Sequence, residues 1–476
     1  MGSTVDALPE PEPGSTYLVP ISAALTKGDY ERAEDMLRTR LNDVPDDAIA
    51  WEVLGVALAL QGDIQGADDA YARAVEIDQM RLTAWVKRGD LAEASGDIER
   101  AIELWQSAAE LQPSYGPANA RLGRTLAERG EPSQALVYLE AAVAVEDSDA
   151  LGSKPDLALI YNQLGRAAQA LKLLEPWDAP DSDAVPEALL ALGNSHAQMG
   201  DADAALARYA RGLEAAPQDT AIARAMGALL VEMGDAERAA DVLTVAAAAE
   251  PANAFANLTY ARALAAVGRY PEAVAAAERA VEATSTPDLL RQSLSMAARA
   301  NLFVRDFTVA TTHSERLVAE FPQAVDAWRE HAAIVAATGQ YDAAKAVYDD
   351  ALVRFSTDAQ LLRGRSVVNV RLDDLEAAYD DAARAAEAAP TWFEPHFLVG
   401  EIAQARGLTK EADAAFRRVL DINPNHWPSV VYLARSAQAK GDLSKAQELA
   451  KRAVTLSGGT EPVQALLDDI DRQLSE

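Results

Sequence analysis

Residues 51–79 read WEVLGVALALQGDIQGADDAYARAVEIDQ, a helical pattern marked at uneven intervals by Trp51, Gly55, Gly62, Ala67, Tyr71 and Ala74. Thirty-four residues further on, 85–113 read WVKRGDLAEASGDIERAIELWQSAAELQP. There Trp85, Gly89, Gly96, Ala101, Trp105 and Ala108 are each displaced by that same interval, and Pro113 stands where Gln79 stood. A fixed period of this size is the mark of a repeat array, in which one supersecondary unit recurs and buries its apolar face against its neighbours.

With Trp51 at position 4 of a 34-residue register, repeats start at residues 14, 48, 82, 116, 151, 186, 220, 254, 291, 325, 359, 393 and 427. Residues 150, 185 and 288–290 fall outside the register and read as small loop insertions. Position 20 is alanine in all thirteen repeats, from Ala33 and Ala67 to Ala412 and Ala446. Position 8 is often glycine (Gly55, Gly89, Gly123, Gly193, Gly227, Gly400) and otherwise mostly alanine. Position 15 is glycine except at Arg305 and Asp373, and seven repeats carry proline at position 32.

Positions 4, 7, 8 and 11 share one helical face, as do 20, 24 and 27, so each repeat reads as two amphipathic helices. Glycine at 15 suits a left-handed C-cap after the first helix, and proline at 32 stops the second. Small residues at 8 and 20 are expected to let the two backbones approach closely.

The pattern W-x2-L-G, then A-x3-F, then P resembles the tetratricopeptide repeat family over residues 14–460. The resemblance implies an all-α solenoid, a right-handed superhelix of about thirteen helix pairs. Residues 1–13 read as a flexible Pro/Glu-rich segment. The final stretch EPVQALLDDIDRQLSE, 461–476, puts Val463, Leu466, Leu467, Ile470 and Leu474 on one face and reads as a C-terminal capping helix. Two repeats depart from the pattern: the fifth has Pro155 inside its first helix, and the ninth lacks both glycines. Kinks or local adjustments are expected at both.

With 476 residues the chain exceeds one ordinary core. Its net charge of −31 argues against nucleic acid as partner and against docking on an anionic bilayer. Cysteine is absent, so no disulfide framework or thiolate site exists. No run of 18 apolar residues occurs, which excludes direct membrane insertion by an apolar helix. Scarce lysine and abundant alanine suit a GC-rich bacterial source. The start MGSTVDALPEPEPGS has neither the basic nor the apolar part of a signal peptide. It reads as a native cytoplasmic start or as a cloning remnant in place of an export signal; the second reading makes the protein periplasmic or exported.

Catalytic motifs are missing. There is no phosphate-cradling loop, dinucleotide fingerprint or nucleophile elbow, so no enzyme activity and no cofactor is expected. His196, His331 and His396 occupy packing positions, His313 lies on a second helix, and His426 joins two repeats. None has a partner at metal-ligand spacing. Acidic doublets such as Asp349–Asp350 and Asp380–Asp381 lack calcium-loop spacing and read as solvated faces.

A binding function is left. In this family the groove is lined mainly by the first helices, where positions 2, 5, 9 and 12 form a stripe. In the fourth to eleventh repeats the stripe carries Arg124, Arg224, Arg262, Arg299, Arg329 and Arg363 against only two acids, Glu187 and Asp326. Phe255, Leu258, Asn162 and Asn194 complete the candidate groove. An apolar trough with spaced guanidinium groups suits a peptide with acidic side chains; alternatively the arginines neutralise neighbouring acids. The family's clamp for C-terminal carboxylates, a Lys at position 5 with an Asn at position 9, occurs in no repeat, and the asparagine ladder of glycosyltransferase-linked arrays is absent. The expected function is a non-catalytic scaffold for protein or peptide partners. Its Ala-rich array and acidic, Pro-rich start resemble exported repeat proteins of polysaccharide-secretion and exosortase-associated systems, which implies an envelope assembly. The alternatives are a cytoplasmic regulatory subunit that recruits substrates to a separate enzyme, and a carrier of an anionic polysaccharide.

Overall fold

A computed structural model describes residues 16–145, 152–179, 185–284 and 286–475, and among them all regular structure is helical. The Pro/Glu-rich segment 1–13 and the inserted residue 150 lie outside the described residues. The chain falls into two compact units, Met1–Leu229 and Leu230–Glu476.

In the first unit the helices are α1 (Leu18–Thr26), α2 (Tyr30–Asp43), α3 (Ala48–Gln61), α4 (Ile64–Ile77), α5 (Leu82–Ala94), α6 (Ile98–Leu111), α7 (Gly116–Glu128), α8 (Pro132–Val143), α9 (Ser153–Gln163), α10 (Ala167–Asp178), α11 (Pro186–Gln198) and α12 (Ala202–Ala215). Helix α13 (Thr220–Met233) contains the division. The second unit continues with α14 (Ala236–Ala249), α15 (Ala254–Ala266), α16 (Tyr270–Ala283), α17 (Pro287–Phe303), α18 (Phe307–Glu320), α19 (Val325–Ala337), α20 (Tyr341–Arg354), α21 (Ala359–Arg371), α22 (Leu375–Ala388), α23 (Phe393–Ala405), α24 (Thr409–Ile422), α25 (Trp427–Ala439), α26 (Leu443–Ser457) and α27 (Glu461–Ser475). Within each unit the substantial contacts join helices one or two apart in the chain.

The turn inside each pair is set by two residues. Gly62 ends α3 at φ 86°, and Asp63 closes the helix by donating its N–H to the Leu58 carbonyl at 3.0 Å. Asp63 then starts α4 by accepting the Gly66 N–H at 3.0 Å. Arg305 and Asp373, which replace the glycine, adopt the same left-handed conformation at φ 63° and 61°. The loops close in the same way, through Asp306 N–H to Asn301 and Asp374 N–H to Asn369, both at 2.9 Å.

Packing within a pair differs in one respect from the expectation of close backbones. A Cβ added at Gly55 would lie 2.6 Å from Cε1 of Tyr71, at position 24, and one at Gly400 2.5 Å from Cε1 of Phe416. Gly89 and Gly193 face Trp105 and Tyr209 in the same manner. Glycine at position 8 therefore seats a large side chain from the second helix. The alanines at position 20 are buried: twelve fully, and Ala412 is 5% exposed.

In five repeats position 4 ties a pair to the one before it. Trp51, Trp85 and Trp328 donate their indole N–H to the carbonyls of Pro45, Gln79 and Pro322 at 2.8–3.1 Å. Asn119 and Asn257 do the same with an amide, to Pro113 and Pro251 at 2.8 and 3.0 Å. Tryptophan and asparagine exchange there because both present an N–H to the end of the preceding repeat.

Two expected irregularities are resolved differently. Pro155 lies in the first turn of α9, which starts at Ser153; there its missing N–H would have no helical partner anyway. Residues 288–290 are no loop insertion but extend α17 to 17 residues. The last helix, α27, buries Val463, Leu466 and Ile470 against α25 and α26.

Candidate functional site

In the second unit the first helices α15, α17 and α19 pack side by side. Position 9 therefore brings Arg262 of α15 beside Arg299 of α17. The two line a cleft of about 160 Å³ together with Arg291, Gln292, Ser295 and Met296 from α17. Asp326 and Glu330 of α19 and Leu317 of α18 complete its wall.

The charges in this cleft are unevenly matched. Arg291 is paired with Asp326. Arg262 has only a neutral partner, donating from Nη2 to Gln292 Oε1 at 2.7 Å. Among the described residues no carboxylate lies within ion-pair distance of Arg262 or Arg299. Desolvation by the cleft walls lowers the Arg262 pKa, and the neighbouring positive charge of Arg299 lowers it further. Glu330 accepts a 2.6 Å hydrogen bond from Ser295 Oγ on Oε2. Its other oxygen, Oε1, is buried and has no hydrogen-bond partner. Burial raises the Glu330 pKa, against the opposing pull of Ser295 and Arg299.

The other stripe residues are placed differently. Arg124 forms an ion pair with Asp156 at 2.9 Å, and Arg329 donates from Nε to Asp358 at 3.0 Å. Asp358 also N-caps α21 by accepting the Leu361 N–H at 2.9 Å. Burial pushes Asp358 up, but the Arg329 and Leu361 hydrogen bonds hold it below the usual carboxylate value. Charge neutralisation therefore accounts for these two arginines. Arg363 lies over the Trp392 ring, 5.7 Å from its centroid, and Arg224 is half-buried on α13. Asn194 accepts the Tyr209 hydroxyl at 2.7 Å. Phe255 remains exposed.

Leu258 and Asn162 correct the expected groove, being only 1% and 5% exposed. Asn162 donates from Nδ2 to the Ala191 carbonyl and accepts from Ser195 Oγ, both at 2.8 Å, so it joins α9 to α11. The adjacent first helix closes over part of the stripe that a single helix leaves open.

Arg291 and Glu330, at positions 1 and 6, escaped the sequence reading. They stand one residue off the stripe, yet position 1 lies above 5, and 6 above 2, one helical turn apart. The signal was available in the acid at position 6 of α19, next to the stripe arginine Arg329.

Among the described residues no group of three His, Asp or Glu side chains is placed to hold a metal ion, and no helix is long and apolar enough to cross a membrane. Residues 21–79, 92–154, 186–219, 230–292 and 393–426 match sequence models described as tetratricopeptide repeat. These matches span more than half of the sequence, and the chain belongs to the tetratricopeptide repeat family. Comparison with curated proteins finds no match. Among solved structures, it is similar to a chain of the APC/C hetero-tetramer Cut9–Hcn1, at 13% identity over 94% of this chain and 95% of that one, TM-score 0.40. It is also similar to yeast Tom70, at 13% identity over 90% and 96% of the two chains, TM-score 0.37. MamA matches at 17% identity over 34% of this chain and 94% of its own, TM-score 0.32. At such identities and scores the likeness bears on neither partner nor function.

Proposed function

We propose that the protein is a non-catalytic scaffold that captures a protein partner through an acidic segment bound at the Arg262–Arg299 cleft. The observation that carries this reading is the juxtaposition of two guanidinium groups, neither within ion-pair distance of a carboxylate among the described residues, in a chain of net charge −31. Partial desolvation and the neighbouring Arg299 lower the Arg262 pKa, and an anion bound beside the two would relieve that repulsion. Elsewhere this acidic chain readily supplies carboxylates, as it does to Arg124 and Arg329. The cleft volume also favours a side chain over a polysaccharide: about 160 Å³ is well below the roughly 300–1,000 Å³ of a small-molecule pocket.

Replacing both arginines with Glu tests the reading. Both side chains are exposed, so the double variant keeps the wild-type helical circular dichroism. A fluorescent, end-blocked hexaglutamate peptide should bind the wild type in a salt-sensitive manner, and the variant at least about tenfold more weakly, a loss of about 1.4 kcal/mol. Equal binding by the two proteins at low and high salt rejects the proposal. The setting we favour is a bacterial envelope assembly, on the strength of composition alone. An export signal encoded in frame upstream of Thr4 supports it, and a native cytoplasmic start counts against it.

A further inference from the structure

The acids in the cleft have a consequence for what it accepts. Arg262, Arg291 and Arg299 face Asp326 and Glu330, and only Arg291 is neutralised by an ion pair. Ser295 orients the Glu330 carboxyl by holding Oε2, which leaves Oε1 as its unengaged atom; its neighbours close it off from solvent, so a ligand reaches it once those side chains move aside. An ionised Oε1 would repel an incoming anion. A protonated one would donate to it, and a carboxylic acid meeting a carboxylate makes a strong, charge-assisted hydrogen bond.

We propose, building on the acidic-segment reading, that the cleft takes one carboxylate of the partner and that Glu330 meets it in the protonated form, donating through Oε1. Arg262 and Arg299 supply the charge, and Glu330 sets the selectivity. Capture of a carboxylate then takes up a proton whenever free Glu330 is ionised. With Glu330 protonated, three guanidinium charges face the single carboxylate of Asp326, a surplus that an acidic side chain meets.

The surroundings fit this role. Glu330 is shifted towards its neutral form by burial and by Asp326, with Ser295 and Arg299 opposing. Arg291 and Arg262 also line the cleft. From α18 only Leu317 reaches the lining, and α20 and α21 contribute no lining residue. His331, next in sequence, points elsewhere: its Nδ1 lies 2.9 Å from Ser314 Oγ on α18, and burial lowers its pKa.

Glu330→Gln is the informative substitution, because its amide donates at every pH while its oxygen still accepts from Ser295. With the hexaglutamate peptide as probe, wild-type affinity should fall as pH rises through the pKa of free Glu330, approaching tenfold per pH unit. Calorimetry in buffers of different ionisation enthalpy should show proton uptake over the same range. In Glu330→Gln the affinity should match the wild type's low-pH value, with no proton uptake and little pH dependence. Wild-type binding that is pH-independent, or pH dependence retained in Glu330→Gln, overturns the role of Glu330 and leaves the arginine reading standing. Absence of wild-type binding at any pH overturns both. Tighter binding of a phosphoserine hexapeptide than of hexaglutamate overturns the carboxylate selectivity.

Discussion

Arg81 donates from Nε to Glu52 Oε2 at 2.6 Å, tying the middle of α3 to the residue that precedes α5. Glu52 is 1% exposed, and its second oxygen has no hydrogen-bond partner. Burial raises the Glu52 pKa, and Arg81 opposes the rise. Replacing Arg81 with Met strands that carboxylate, at about 3–5 kcal/mol near neutral pH. A carboxyl whose folded pKa exceeds its unfolded one stabilises most below the unfolded value, and this contribution disappears as pH rises through the folded value. Without Arg81 the folded value climbs further, so the deficit at about pH 8 should exceed that at about pH 5. Amide protection factors in α3–α5 measure this, and an equal loss at both pH values contradicts it.

The glycines of the repeat divide into two kinds with opposite responses. Gly55→Ala gains about 1 kcal/mol of helix propensity but drives a methyl group into the Tyr71 ring, at about 1–3 kcal/mol, so it should destabilise the pair α3–α4. Arg305→Gly should do the reverse, stabilising the turn between α17 and α18 by up to about 1 kcal/mol. Urea midpoints of the two variants decide the matter; a lower midpoint for Arg305→Gly would refute the second half.

Helix α27 covers the last pair with Val463, Leu466 and Ile470, which are 3%, 9% and 0% exposed. Deleting residues 461–476 uncovers Val430, Ala434, Ala446, Ala450 and Ala453 beneath it. The truncated protein should self-associate, and α25 and α26 should lose amide protection. Unchanged solubility and protection together would show that the two helices stand without a cover.

Much of the helix-pair fold could be read from sequence because it is written thirteen times. A left-handed turn at position 15 and a buried alanine at position 20 are local demands that one residue type satisfies. The contacts between repeats were harder to see. Trp51 and Asn119 look unrelated until both are found donating to the carbonyl six residues earlier. The candidate site was only partly legible. Its arginines stand out by sign, but whether a carboxylate sits beside each depends on the neighbouring helix. Asp358 comes to Arg329, while Gln292 comes to Arg262. Asn162 and Leu258 were misplaced for the same reason, since a face drawn from one helix cannot show what the next helix covers.

The interface between neighbouring pairs reuses the same register positions, and in five repeats a donor at position 4 reaches the carbonyl six residues earlier. A segment of 34 residues copied or lost in register would leave junctions of the kind already present, a second helix meeting the next first helix at the same register positions. Genetic duplication is therefore structurally inexpensive in such a chain, and its length can drift without a new core having to arise. The cleft has no such freedom. Arg262, Arg299 and Glu330 come from three successive first helices, so a copy inserted among them would separate the groups that make the site. Selection for binding would be felt as a ban on insertions between α15 and α19, in an array otherwise open to them.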